Sequence, residues 1–322
     1  MGRHVLYEAG NDPGRVVLAA RLPVIVLALS FGLVVFAFAR DVVGTGGGLV
    51  AVALYAFSPD VVAHGSLATL DVPAAGFALT SAWLVWRARC RALPYLPLAG
   101  LALGAAVATK MSALAVVPVL VVLVVLSGWR ARVGRWWVLG AAVAMLLPAG
   151  VLLVAAMTGD RDLGVRYAVF LAVAAAGVVV VRWRWVSGAA VVLVVFVGVS
   201  SWRAFPYYLP YSNEAFGGPA GTRLHLHDSN VDWGQDLGRL AERLARCHPG
   251  ERVWLVYKGS GVPAHHGIRA DDPLAVPPER VRGLLVVSDS AAARADGRLR
   301  VLLERSTPVD DVGHSITIYR RS

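Results

Sequence analysis

Through its first 201 residues the chain runs in long apolar blocks, and after that in short groups with alternating or three-to-four spacing. A helix needs about 20 apolar residues to cross a bilayer, within a range of roughly 17–25. The blocks of that kind are Val16–Ala39, Val42–Phe57, Val72–Trp86, Leu93–Thr109, Met111–Ser127, Trp136–Met157, Tyr167–Val181 and Trp185–Ser201. The apolar stretch from Leu93 to Ser127 holds 35 residues, and Lys110 is the only charge in it. As one helix it would measure about 52 Å at 1.5 Å per residue. That overshoots a hydrocarbon core of roughly 30 Å, so the stretch must break, and Lys110 marks the break. The pattern predicts an α-helical polytopic membrane bundle of about eight spans.

After Trp202 the periods change. "DSNVDWGQDLGRLAERLARC" places Leu237, Leu240, Leu244 and Cys247 on one helical face. Ser229 or Asn230 could cap that helix. "RVWLVYKG" and "RGLLVVSDS" predict buried strands, and "HSITIYRR" a strand with period-two alternation. "DDPLAVPPER" predicts a loop. The chain thus divides into a short polar start (1–15), a membrane domain (16–201) and a small α/β domain (202–322).

Charge orients the bundle. Alternate connections carry Arg40; Arg87, Arg89 and Arg91; Arg130, Arg132 and Arg135; and Arg182 with Arg184. The intervening ones carry no basic residue between Ser58 and Asp71, Lys110 alone, and Arg161 and Arg166 beside Asp160 and Asp162. Basic loops stay cytoplasmic. Asp60, His64, Asp71, Lys110 and the α/β domain are therefore expected outside the cytoplasm, and so is the N-terminus. The net charge of +10 reads as this topological charge rather than as a nucleic-acid surface. The two cysteines, Cys90 and Cys247, fall on opposite sides, so neither a disulfide between them nor a zinc site is expected. The polar opening "MGRHVLYEAGNDPGRVV" does not read as a cleavable leader.

Polar residues at the outer ends of apolar blocks are the candidates for chemistry. Asp71 precedes Val72 and Pro73, the setting of a helix cap and equally of a site carboxylate. His64 reads as an interface histidine or a site residue, and Asp60, after Ser58 and Pro59, as a turn or cap. Lys110 is either a snorkelling lysine or a phosphate contact. Arg166 beside Tyr167 is either an interfacial pair or a bidentate phosphate ligand. In the tail, Asp228, Asp232 and Asp236 lie near His225 and His227 without the spacing of a calcium loop, and capping and packing account for them better. No phosphate-loop, dinucleotide or metalloprotease motif is present.

"ARLPVIVLALSFGLVVFAFARDVVG", "FSPDVVAHGSLATLDVPAAGF" and "GLALGAAVATKMSALAVVPVLVVLVVL" resemble bacterial membrane glycosyltransferases of the GT-C class. More narrowly they are similar to the phospholipid-carrier-dependent group related to protein O-mannosyltransferases and to the lipid A aminoarabinose transferase. "LPYSNEAFGGP", "DSNVDWGQDLGRLAERL", "VYKGSGVPAHHGI" and "VGHSITIY" are similar to the tail of one bacterial branch. The resemblance implies an inverting enzyme of the bacterial inner membrane. Such an enzyme takes a sugar from a polyprenyl-phosphate donor on the outer side and passes it to a glycan, lipid or protein acceptor. It implies no metal and no further cofactor, because the phosphate already activates the sugar. His64 and Asp71 match the family's "AHG…D" block and take a site role from it, Asp71 as base or site carboxylate; Lys110 and Arg166 would hold the donor phosphate.

Two departures accompany the resemblance. "GVRYAVFLAVA" lacks the proline that usually follows the family's Arg-Tyr. In the family, a first helix and an outer loop with an acidic pair come before the point where this sequence begins. Glu8 and Asp12 stand here outside that setting, so the chain as given is expected to transfer no sugar unaided. The rival readings are a lipid flippase or transporter, a catalytically dead homologue, and a scaffold whose outer domain binds a partner. A transporter would carry polar residues at mid-helix in matched halves, and the apolar blocks here are almost free of them.

Overall fold

The computed structural model describes residues 4–88, 90–117, 120, 186–227, 230–259 and 261–321. They form two compact units, Val17–Val199 and, separately, Met1–Val16 with Ser200–Ser322.

In the first unit helix α1 (Pro13–Val43) exposes Leu18, Leu22, Val26, Leu29 and Leu33, each 51–71% accessible. Their spacing of three and four residues makes one stripe. The opposite face, with Ala28 and Phe31, packs against Tyr55, Val72 and Phe77. An outward leucine stripe is unfavourable in water and natural against acyl chains. Among the described residues α1 alone is long and apolar enough to cross a membrane by itself. Helices α2 (Thr45–Phe57) and α3 (Pro59–Ser66) together pass the same test, bent by 62° where Pro59 restarts the helix.

Helices α4 (Asp71–Ala88) and α5 (Ala92–Thr109) are 18 residues each and form a tight hairpin. Ala78, Ala88, Ala99 and Ala106 are buried in their shared core. Small side chains let helix backbones approach closely in a membrane. Ser81 Oγ donates across the seam to the Ala99 carbonyl at 2.8 Å. Gly76 faces the Phe31 ring, and any Cβ there would collide with it. The helix stops at Lys110, whose backbone is extended (φ −154°, ψ 122°), and resumes as a 3-10 turn, Met111–Val116. The break falls where the length of the apolar stretch requires it. Helix α6 (Val186–Ala204) again exposes Val191, Val192, Val195 and Phe196. Helices α1, α2, α4, α5 and α6 fall on five of the eight apolar blocks, and of these five helices α1 alone is long and apolar enough to cross a membrane by itself. The fifth in order starts at the 3-10 turn, and Trp136–Met157 and Tyr167–Val181 lie outside the described residues.

The second unit is a three-layer α/β domain. Strands β1 (Val253–Val256), β2 (Gly283–Ser288), β3 (Thr307–Val312) and β4 (Ile316–Arg321) form one sheet in the order β1-β2-β4-β3. β1 and β2 are parallel; β4 runs antiparallel to both β2 and β3. Helix α7 (Leu237–Cys247) covers one face, where Leu237 and Leu240 meet Leu284, Val286, Ile316 and Ile318. Helix α8 (Gly297–Glu304) covers the other, where Leu299 and Leu302 meet Trp254, Leu285 and Val287. β2 is central, so its residues are buried on both sides and read as a continuous apolar run.

Three features differ from the sequence expectation. The amphipathic helix starts at Leu237, not near Ser229 or Asn230. Gly234 sits at φ +85° and the Asp232 Oδ1 accepts its N–H at 2.6 Å, a tight turn that prevents an earlier start. Strand β3, "TPVDDV", was not expected, because Pro308 and two aspartates contradict strand propensity. It lies at the sheet edge with an irregularity between Pro308 and Asp310, where a missing donor is tolerated. Helix α8 was not expected either, since its apolar pattern is short.

Candidate active site

Two helices of equal length joined by a tight turn place their far ends level. Asp71 opens α4 and Lys110 closes α5, so the hairpin brings together residues 39 apart in sequence. Lys110 Nζ donates to Asp71 Oδ1 at 2.6 Å. Asp71 is 17% exposed and Lys110 37%. Neither charge is left to itself: pairing lowers the cost of partly burying each. Lys110 retains partial exposure, and an ammonium can turn from one anion to another.

His64 lies in the last turn of α3. Thr69, buried at 3% exposure, donates from Oγ1 to the His64 carbonyl at 3.1 Å and ties the end of α3 to the start of α4. Asp60 is exposed in the first turn of α3, two residues after Ser58 at the N-cap position. Arg166 lies outside the described residues.

The opposite end of the same hairpin holds a cluster the sequence reading missed. Arg87 grips Asp41 through two hydrogen bonds, Nε to Oδ2 at 2.6 Å and Nη2 to Oδ1 at 3.2 Å. Trp83 Nε1 donates to the same carboxylate at 2.8 Å, and the Arg87 guanidinium lies 4.7 Å from the Trp83 ring centroid. The only sequence signal was Asp41 beside Arg40 in a short connection.

A third cluster sits in the α/β domain at the carboxyl ends of β1 and β2. Asp236, 1% exposed, precedes α7 and is bound by Arg239 at 2.5 Å and by Ser315 Oγ at 2.7 Å. Asp289 follows β2 and accepts from Thr317 Oγ1 at 2.7 Å. Arg223 bridges Asp311, at 2.6 Å, and Asp289, at 3.6 Å. The turn between β3 and β4 passes close enough to Asp236 that Gly313, at φ +68°, leaves no room for a Cβ beside the carboxylate. Asp232, 7% exposed, accepts from Gly234 N and Tyr257 Oη through Oδ1, while Oδ2 has no hydrogen-bond partner among the described residues. Burial pushes its carboxyl up to about 6, with Asp236 and Asp289 adding to the rise. Burial also raises Asp289, against the pull of Thr317 and Arg223. At Asp311 burial pushes upward, but His314 and Arg223 outweigh it and hold that carboxyl low. Among the described residues no group of His, Cys, Asp or Glu is arranged to hold a metal ion. The cluster knits the helix start to the sheet, as the capping-and-packing reading of this segment expects. Cys90 and Cys247 are exposed free thiols.

The family model for dolichyl-phosphate-mannose-protein mannosyltransferases matches residues 14–154, less than half of the 322-residue chain. No curated protein and no solved structure matches. The matched segment contains α1 to α5 with His64, Asp71 and Lys110, and this part of the chain is similar to a family of membrane-integral glycosyltransferases. The resemblance drawn from the sequence is thereby shown over residues 14–154, consistent with a GT-C-class glycosyltransferase related to the protein O-mannosyltransferases.

Proposed function

We propose that the chain carries the donor site of an enzyme that moves a sugar from a polyprenyl-phosphate donor to an acceptor hydroxyl at the extracytoplasmic face of the membrane, with Asp71 and Lys110 at that site and with transfer read in a chain extended upstream by the helix and outer loop that the resemblance implies. The observation that carries this reading is their 2.6 Å contact at one end of the α4–α5 hairpin. A donor of this class brings a phosphate anion at the membrane surface. Lys110 would then exchange Asp71 for that phosphate and stabilise the charge that grows on the leaving oxygen. Asp71, released from Lys110, would orient the lysine or take the proton of the acceptor hydroxyl. The sugar carbon would be attacked from the face opposite the phosphate, which inverts its configuration. His64 would flank the pair from α3, and Arg166 would add a second phosphate contact through its forked guanidinium. The arginine distribution supports an outward α/β domain, and the resemblance to bacterial enzymes supports the bacterial inner membrane.

The test is a charge swap. Membranes containing the wild type, Asp71→Asn, and the double variant Asp71→Lys with Lys110→Asp are supplied with a labelled polyprenyl-phosphate sugar pool and endogenous acceptors. The swap keeps an ion pair and is expected to keep the protein folded in the membrane while transfer stays lost. Recovery of transfer in the swap would reduce the pair to a structural bond and overturn the assignment.

A further inference from the structure

We infer that the segment from Trp202 to Leu226 is a membrane-docking surface, seated on the phospholipid leaflet from which α6 emerges. In the unit that includes the α/β domain, the highest exposures of large apolar side chains fall in this segment. Trp202 is 84% exposed, Leu224 74%, Phe205 68% and Phe216 54%. Elsewhere in the domain the corresponding values are low: Val309 46%, Trp233 41%, Val301 39% and Leu274 38%. The rest of the domain follows the rule for a water-soluble fold, with apolar residues in two cores and charge outside. The departure is therefore confined to one stretch of chain, and exposed apolar surface concentrated in this way marks a partner.

The segment is physically continuous. The end of α6 and the loop that follows line one open hollow of about 310 Å³, with Ser200, Arg203, Tyr211, Glu214, Gly218 and Pro219 around it. Phe205 stacks edge-on with Tyr208 at 6.2 Å, and Phe216 with His225, the neighbour of Leu224, at 5.6 Å. Thr222 Oγ1 donates to the Pro210 carbonyl at 2.7 Å and Ser212 Oγ to the Gly218 carbonyl at 2.9 Å, so the fold of the loop is tied down.

Two arguments select a lipid surface over a protein. The first is continuity: the apolar face of α6, with Val195, Phe196 and Val199 exposed, runs into Trp202 and then Phe205. Tryptophan and other amphipathic aromatics gather where a membrane meets water. The second is charge. A zwitterionic phospholipid presents a phosphate and an ammonium side by side, and the hollow presents Arg203 and Glu214. The inference rests on α6 ending at a membrane surface and is independent of the sugar-transfer reading, so loss of one leaves the other standing.

Spin-label accessibility tests it on the full chain. Cys90 and Cys247 are replaced by Ser, and single labels are placed through Phe216→Cys, Leu224→Cys and, as references, Leu18→Cys on α1 and Val301→Cys on α8. The protein is reconstituted in phosphatidylethanolamine–phosphatidylglycerol vesicles, and collision with oxygen is compared with collision with a water-soluble nickel chelate. Labels at 216 and 224 are expected to show an oxygen-to-nickel ratio several-fold above that at 301 and approaching that at 18. A ratio equal to that at 301 would overturn the proposal. Exclusion of both reagents at 216 and 224 would also overturn it, since protein rather than lipid would then cover the surface.

Discussion

The two ends of the α4–α5 hairpin carry ion pairs of opposite design. At one end an arginine meets Asp41 with two hydrogen bonds and a tryptophan, which leaves its geometry over-determined. At the other a lysine meets Asp71 with a point contact. The paired exposures are nearly equal, 33% and 18% for Arg87 and Asp41 against 37% and 17% for Lys110 and Asp71. Burial therefore does not separate them; chemistry does. A planar fork fixed on two oxygens is a latch, and a compact ammonium on a flexible stem is exchangeable. A membrane hairpin that must be rigid at one end and responsive at the other would distribute the two cations in this way.

Exchanging the residues breaks or sharpens that comparison. Lys110→Ala is expected to lower sugar transfer about 100- to 1000-fold, the usual effect of removing one donor from a developing charge, with the protein still extracted as a folded species. Arg87→Lys, which keeps the charge and loses the fork, is expected to leave transfer near the wild-type rate. It should cost on the order of 1–2 kcal/mol of stability, read as a lower aggregation temperature in detergent. The reverse distribution, with transfer lost at 87 and stability at 110, would abolish the distinction.

Asp232 supplies the third case, a buried carboxylate for which the described residues offer no cation. Its folded carboxyl stands at about 6 against an ordinary value of 3.8. The protonated form is thus the one the fold prefers. Stability from this group is full below about 4, declines as pH rises through about 6, and is then lost. The loss amounts to about 3 kcal/mol at 1.36 kcal/mol per unit. Asp232→Asn should therefore gain on the wild type as pH rises, with the change falling between pH 4 and 6.5. A fluorophore on Cys247 with Cys90 replaced by Ser reports the melting of this domain. A difference between the two proteins that stays constant with pH would show the carboxyl to be unperturbed.

The smallest effect belongs to the hairpin seam. Ser81→Ala removes the bond to the Ala99 carbonyl, and interhelical hydrogen bonds of this kind average about 0.6 kcal/mol in a membrane. A loss several times larger would mean that the polar bond, rather than the small-residue packing around it, sets the spacing of the two helices and thus the alignment of their ends.

The sequence disclosed the membrane half through block length alone, and it located the Lys110 break, because helix rise and bilayer thickness leave few choices. It also marked β1, β2 and β4, whose burial on one or both faces writes a plain apolar pattern. What it left unread has physical causes. β3 is specified by its neighbour β4 and not by its own residues, so Pro308 and the aspartates disguise it. The start of α7 is set by one glycine turn, a conformational fact invisible to periodicity. The outer ends of the apolar blocks pointed to Asp71 and Lys110 separately, and only the equal lengths of α4 and α5 join them. Arg87 was read as a loop charge and Asp41 was passed over, because their partnership spans 46 residues.

The edge strand has a consequence for the protein at its working density. A domain tethered to a membrane meets its neighbours in two dimensions, where local concentration is far higher than in solution. An open sheet edge there would invite one copy to extend the sheet of the next. β3 presents a proline without a donor and an irregular register along that edge. Each discourages strand addition, by a lost hydrogen bond or a mismatched ladder. The unpromising sequence of "TPVDDV" thus makes this edge a poor template for a neighbour's strand.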